Sequence, residues 1–335
     1  MGDWTCAAEG AAILAMQPAG LLSPLAALAF ALALAAPGSA SANIFETDDR
    51  VAVERLPGTP WAAVGLITQT TPGRDFRFGT VTLVGPCHAL TAHHTAFRSI
   101  AQANSDEPSH LWFGPPRPAG AISGASGDAA TAAEGGAAEG GSFPWTWRVT
   151  ARPVAWGDLD AHVHGDWALL ELEHCLGAEL GWWELAPLGF DEIKALEPNA
   201  LRLVGHPTES PRETALLDPA CNLYRELGSV PGWRMDCAVR VGNSGGPVFL
   251  DPTEPAAVAT PSSTAVSAGT AKSGPLGPRL IAIVKGDFFP QPGGVIIPQW
   301  DERAANVALP VYAFIETLRP HLAAGQARAA REAGQ

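Results

Sequence analysis

The chain has 335 residues, 47% of them apolar and 16% charged, which is enough for one large folded domain or two small ones and excludes a chain disordered throughout. Its 34 acidic against 21 basic residues give a net charge of −13, which argues against a nucleic-acid or anionic-membrane surface as its main partner.

The first 42 residues contain no Lys or Arg, and an apolar stretch within them runs from Leu21 to Ala36 before Pro, Gly and small residues follow. Ala40, Ser41 and Ala42 read as an A-x-A cleavage site. Residues 1–42 are therefore expected to be a signal peptide and 43–335 the exported domain. Asp3 and Glu9 stand where a signal normally opens with positive charge, which points to Met16 as the true start. The rival reading is an uncleaved anchor, but the apolar run is short for the roughly 20 residues a span needs, so no stable membrane association is expected. Loss of the leader takes the net charge from −13 to −11.

Cys6 leaves with the leader, and Cys87, Cys175, Cys221 and Cys237 remain. An even number in an exported chain is expected to form two disulfides, and four cysteines allow three connectivities. Closeness in sequence favours Cys221 with Cys237, which leaves Cys87 with Cys175. No two of them form a C-x2-C pair, so no zinc or other metal site is expected.

Short apolar runs broken by Gly and Pro follow in order: 61–68, 79–85, 166–172, 201–207, 245–250 and 279–288. Their length, β-branched content and turn punctuation predict strands. Residues 117–142 and 251–278 are rich in Gly, Ala, Ser, Thr and Pro, and are expected to be long mobile surface loops, since such composition buries too little to offset its ordering entropy. A helical pattern is clear only over 311–322, where Val311, Phe314, Ile315 and Leu318 fall at helical spacing. Many short strands and one terminal helix predict an all-β barrel or sandwich.

The segment VGNSGGPVF, residues 241–249, is the most specific in the chain. A serine flanked by glycines suits a tight turn whose backbone N–H groups converge near its Oγ, although a Gly-rich turn between two strands would look the same. Gly242, Ser244 and Gly246 also match the nucleophile elbow of α/β-hydrolases. That fold needs a histidine after the serine and a helix directly behind it, whereas only His321 follows Ser244 and Pro247–Leu250 reads as a strand.

Taken with ALTAHH (89–94) and DWALLEL (166–172), GNSGGPVF (242–249) resembles the third of three signature segments of the chymotrypsin-like serine peptidases. The resemblance spans roughly residues 44–320. It implies two six-stranded antiparallel β-barrels, at about 50–150 and 180–310, with a C-terminal helix and the site in the cleft between them. It implies His94 as general base, Asp166 as its orienting carboxylate, Ser244 as nucleophile, and the N–H groups of Gly242 and Ser244 as an oxyanion hole. His93 is then a neighbour without catalytic duty. Asp158 and Asp160 are rival acids, but they lie in a stretch that reads as a loop.

The expected chemistry is hydrolysis of a peptide or protein substrate, with no cofactor. The rival is a protease-fold binding protein that has lost activity. Softer matches over 48–53, 60–68, 203–207, 233–249 and 306–318 resemble the secreted bacterial branch related to glutamyl endopeptidases. Three positions depart from the family. Asn243 replaces the aspartate that pairs with a new N-terminus in animal digestive members. Ala238, with Val239 beside it at the implied substrate pocket, lacks the aspartate of trypsin-type specificity. Val284 and Lys285 stand where the glutamyl branch has histidine and tryptophan. Lys285 could still attract an acidic side chain, so a weak acidic preference is expected. A periplasmic quality-control protease shares G-N-S-G-G-P but is expected to add a peptide-binding domain, for which only about 15 residues after the terminal helix leave no room.

Overall fold

The computed structural model describes residues 43–71, 74–97, 109–116, 145–158, 163–211, 214–228, 230–251, 275–287, 296–297, 301 and 304–334. The leader, the segment 117–142 and most of 251–278 lie outside these residues. In chain order the strands are β1 (Ile44–Phe45), β2 (Val51–Val53), β3 (Val64–Thr71), β4 (Arg74–Gly85) and β5 (His88–Thr91). After the short helix α1 (His93–Ala96) come β6 (Ser109–Pro116), β7 (Trp145–Trp156) and β8 (Ala168–Leu172). Helix α2 (Gly177–Leu180), β9 (Trp182–Leu185) and α3 (Phe190–Lys194) lead to β10 (Leu201–Gly205), β11 (Ala215–Cys221), β12 (Leu223–Glu226) and β13 (Trp233–Met235). The remainder is β14 (Pro247–Leu250), β15 (Pro275–Asp287), β16 (Ile296–Ile297), β17 (Asn306–Pro310) and the terminal helix α4 (Ile315–Ala333).

Six of these strands close a barrel in the order β3-β4-β5-β8-β7-β6, every pair antiparallel. A nine-stranded sheet runs β12-β13-β17-β15-β14-β10-β11-β2, with β9 added in parallel to β15. Its hydrogen-bonded path is open, yet β11 and β12 are consecutive lengths of chain separated by Asn222 alone. The first pairs with β10 and the second with β13. The six-strand circuit β10, β11/β12, β13, β17, β15, β14 is thus completed along the backbone, and the all-β double-barrel architecture holds with a half-barrel as its second member.

Both units are filled by aliphatic side chains, and their junction is aromatic. Trp61, Trp183 and Phe249 meet edge-to-face with centroids 4.8–6.1 Å apart, and the Trp183 indole N–H donates to the Pro60 carbonyl at 2.8 Å. Trp167 stacks on Phe314 with centroids 5.1 Å apart, which ties the start of β8 to the approach of α4. Both expected disulfides are present, Cys87–Cys175 and Cys221–Cys237.

Three expectations are corrected. Trp61–Ala63 is not strand but a 3-10 turn opened by Pro60, whose fixed φ suits the first helical position. Strand β15 starts four residues inside the segment read as a loop, because Pro275 and Arg279 find partners in Trp182 and Glu184 of β9. Helix α4 runs far beyond residue 322: it carries Pro320 within it at the loss of one intrahelical hydrogen bond, and the Ala- and Arg-rich continuation has high helix propensity. Leu318 and Gly325 bury its inner face. No helix among the described residues is long and apolar enough to cross a membrane.

Candidate active site

Helix α1 follows β5 at the rim of the closed barrel and carries both histidines. His93 turns inward: it is buried, its Nδ1 lies 2.8 Å from the Gly157 carbonyl, and its ring meets Phe97 edge-on at 4.6 Å. His94 turns outward, with 40% of its side chain exposed. Asp166 stands just before β8, the strand paired to β5, and is 2% exposed. Its two oxygens lie 2.9 and 2.8 Å from His94 Nδ1, and one also accepts the His94 backbone N–H at 2.9 Å. Burial pushes the Asp166 carboxyl up, but the His94 hydrogen bonds and charge outweigh it, and the Lys285 charge adds to them, so its pKa sits below the ordinary carboxylate value. Asp158 is exposed and Asp160 lies outside the described residues, so the carboxylate brought to His94 is Asp166.

Ser244 lies in the turn before β14. Gly242 has φ +99° and Gly245 φ +81°, both in the region that a side chain disfavours. A Cβ on Gly245 would also stand 2.7 Å from the Ala92 nitrogen, so this glycine permits the serine turn to touch the strand end that leads into α1. A Cβ on Gly79 would stand 2.6 Å from the Ser244 carbonyl and 2.9 Å from Thr95 Cγ2. The serine and the residue after His94 therefore flank the same bare backbone.

The carbonyls of this turn are held one by one. Val241 O accepts from Thr208 N–H at 2.7 Å, Gly242 O from the Thr80 hydroxyl at 2.8 Å, Asn243 O from Gly246 N–H at 2.7 Å, and Ser244 O from Thr80 N–H at 2.9 Å. The N–H groups of Asn243 and Gly245 donate to Arg240 O and Val284 O. Those of Gly242 and Ser244 meet no acceptor among the described residues. In a trans peptide the N–H points opposite to the C=O of the same plane. Fixing Val241 O and Asn243 O therefore aims the Gly242 and Ser244 N–H groups away from those partners. Ser244 Oγ rests 3.4 Å from the Lys285 carbonyl.

The other expected pocket residues separate. Lys285 is half-buried and its charge reaches Asp166. Val239 and Val284 lie in the apolar core of the second sheet. Asn243 is buried and closes locally, its Oδ1 accepting the Arg240 N–H at 3.2 Å. Beneath this wall lies a group that sequence reading missed. Asn43, Asp218 and Asn306, all buried, satisfy the backbone of 237–239: Asn306 Nδ2 donates to Cys237 O at 2.8 Å, Ala238 N–H to Asp218 at 2.6 Å, and Val239 N–H to Asn43 O at 3.1 Å. These residues are far apart in the chain, and a lone Asn or Asp in an apolar run was the available signal.

The three residues Asp218, Cys221 and Cys237 form a compact group of potential metal donors, but the two thiols are joined as a disulfide, so this donor set does not fit an ion.

No protein-family model matches the chain, and no curated protein matches it. Among solved structures, the chain resembles a Glu endopeptidase in complex with MPD, at 12% identity and TM-score 0.53, over 84% of this chain and 99% of that one. It also matches the protease Anisep from Arthrobacter nicotinovorans, at 12% identity and TM-score 0.46, over 80% and 98% of the two chains. A third match is the thermostable serine protease AL20 from an extremophilic microorganism, at 13% identity and TM-score 0.43, over 79% and 98%. The first of these, with the two sheets described above, defines the fold: it is that of the chymotrypsin-like serine peptidases.

Proposed function

We propose that the chain is an exported serine endopeptidase that hydrolyses peptide bonds through an acyl-enzyme. The observation that supports this most is the joint arrangement of a buried carboxylate clasped to His94 and a serine turn whose carbonyls are all held while two N–H groups are not. Ser244 Oγ adds to the scissile carbonyl carbon while His94 Nε2 takes its proton, and the Gly242 and Ser244 N–H groups receive the oxyanion. Asp166 fixes the tautomer with the proton on Nδ1 and stabilises the imidazolium. The imidazolium then gives its proton to the leaving amine, and water repeats the sequence on the ester. Lys285, beside the serine, gives a weak preference for acidic side chains.

Labelling of the mature protein with a fluorophosphonate, beside Ser244→Ala and His94→Ala, tests the reading. Labelling that needs both residues is expected, and a folded, disulfide-bonded wild type that does not label would overturn it. Cleavage after Ala42 belongs to the same proposal and is supported by the A-x-A segment Ala40–Ala42. Mass spectrometry of the exported protein is expected to find Asn43 first.

A further inference from the structure

The serine turn belongs to the second sheet, yet two of its four carbonyls are gripped by one residue of the other barrel. Thr80 lies in β4 and is fully buried. Its N–H donates to Ser244 O at 2.9 Å and its hydroxyl to Gly242 O at 2.8 Å. The same hydroxyl accepts the His206 N–H at 2.9 Å, and the Thr80 carbonyl accepts the Thr91 hydroxyl at 2.7 Å, three residues before His94. One side chain and its own peptide therefore connect the serine turn, the strand end at His206 and the strand end that leads to the histidines.

We infer that Thr80 is a positioning residue that holds the oxyanion turn in its working shape across the barrel boundary. This rests on the peptidase reading above. The turn has an unusual need of such a hold, because Asn243 offers no carboxylate for an ion pair and closes instead on its neighbour Arg240. Gly242 sits at φ +99°, where glycine's freedom gives no stiffness of its own. Anchoring the carbonyls on both sides of Asn243 fixes two of the three peptide planes between Gly242 and Gly245, those that flank the plane carrying the Ser244 N–H. With Val241 O and Asn243 O held by Thr208 and Gly246, each of the four planes has one fixed end. The hydroxyl is at once donor and acceptor here, so valine, of nearly the same shape, would keep the N–H to Ser244 O but remove the hydroxyl's hold on Gly242 O and its acceptance of the His206 N–H. Serine would restore both hydrogen bonds.

The experiment compares the full mature protein with its Thr80→Val and Thr80→Ser variants. The measurements are kcat and KM on a chromogenic acyl ester, the rate of fluorophosphonate labelling, and hydrogen exchange of the segment 240–246. Loss of alignment on the ångström scale costs on the order of a hundredfold in rate. Thr80→Val is therefore expected to lower kcat by about tenfold to a hundredfold with KM within about threefold, and to speed exchange in 240–246 selectively. Thr80→Ser is expected to recover most of kcat and the exchange protection. Thr80→Ala carries the same test should the valine variant not fold. A valine variant with wild-type kcat, or a loss that serine does not rescue, would overturn the inference. A wild type that neither labels nor turns over defeats the peptidase reading instead, and exchange in 240–246 then decides the grip alone: unchanged exchange in Thr80→Val overturns it.

Discussion

His94 meets both oxygens of Asp166 through Nδ1, which leaves Nε2 as the edge that can serve the serine. An amide in place of the carboxylate would present a donor to Nδ1 and favour the opposite tautomer, so Asp166→Asn is expected to lower kcat by about 10⁴-fold with little change in melting temperature. Asp158→Asn, an exposed change, is expected to leave kcat within about twofold; steady-state kinetics on one ester separate the two. The Lys285 charge reaches Asp166. Lys285→Ala is expected to reduce the rate on glutamyl esters relative to alanyl and leucyl esters, and equal rates for all three on the wild type would remove the acidic preference.

Helix α4 lies along the closed barrel, where Gly325 touches Cys87 and His88; a Cβ there would stand 2.5 Å from the His88 ring. Burial, with the charges of His321 and Arg328 working against that of Glu171, lowers the His88 pKa from 6.5 to about 4. Between those values the unfolded chain binds the proton that the folded one refuses, so this contribution to stability is lost as pH falls from 6.5 to 4. Asp218 works in the other direction. Burial outweighs the Ala238 and Ala220 N–H groups and, with the Asp49 and Asp236 charges, raises it from 3.8 to about 6, so its penalty is relieved as pH falls through that window. Relative to wild type, His88→Leu is expected to gain melting temperature on going from pH 6 to 4, and Asp218→Asn to lose it, as thermal melts would show.

The elements legible in the sequence were those with dense apolar runs: β4, β8, β10, β14 and β15 fall on them. Strands β6 and β7 were missed because Pro115, Pro116 and Pro153 break the pattern, although the chain accommodates them in irregular pairings. The start of β15 depends on its partner β9, far back in the chain, which local pattern does not carry. Motif spacing made His94, Asp166 and Ser244 visible. Thr80 and Asn306 remained hidden: a threonine in a strand looks like ordinary β-branched filling, and a lone asparagine like a turn residue, until their partners 162 and 263 residues away are known.

At the scale of the molecule, two covalent links lie in different units. Cys87–Cys175 spans 88 residues of the closed barrel and Cys221–Cys237 spans 16 of the second sheet. By the chain-entropy model, losing the first costs about 4.5 kcal/mol and losing the second about 3 kcal/mol. Urea unfolding of the paired Cys→Ser variants is expected to rank them in that order. The second link has a further significance. Strands β11 and β12 change partners at Asn222, and Cys221 is the residue next to it. That point is a seam, stitched by hydrogen bonds of Asn222 with Asn199 and Asp236, and the disulfide is the rivet beside it. Reduction of this one bond is expected to loosen the corner at which the chain leaves one neighbour for the next, on the same wall that leads through Ala238 to the serine.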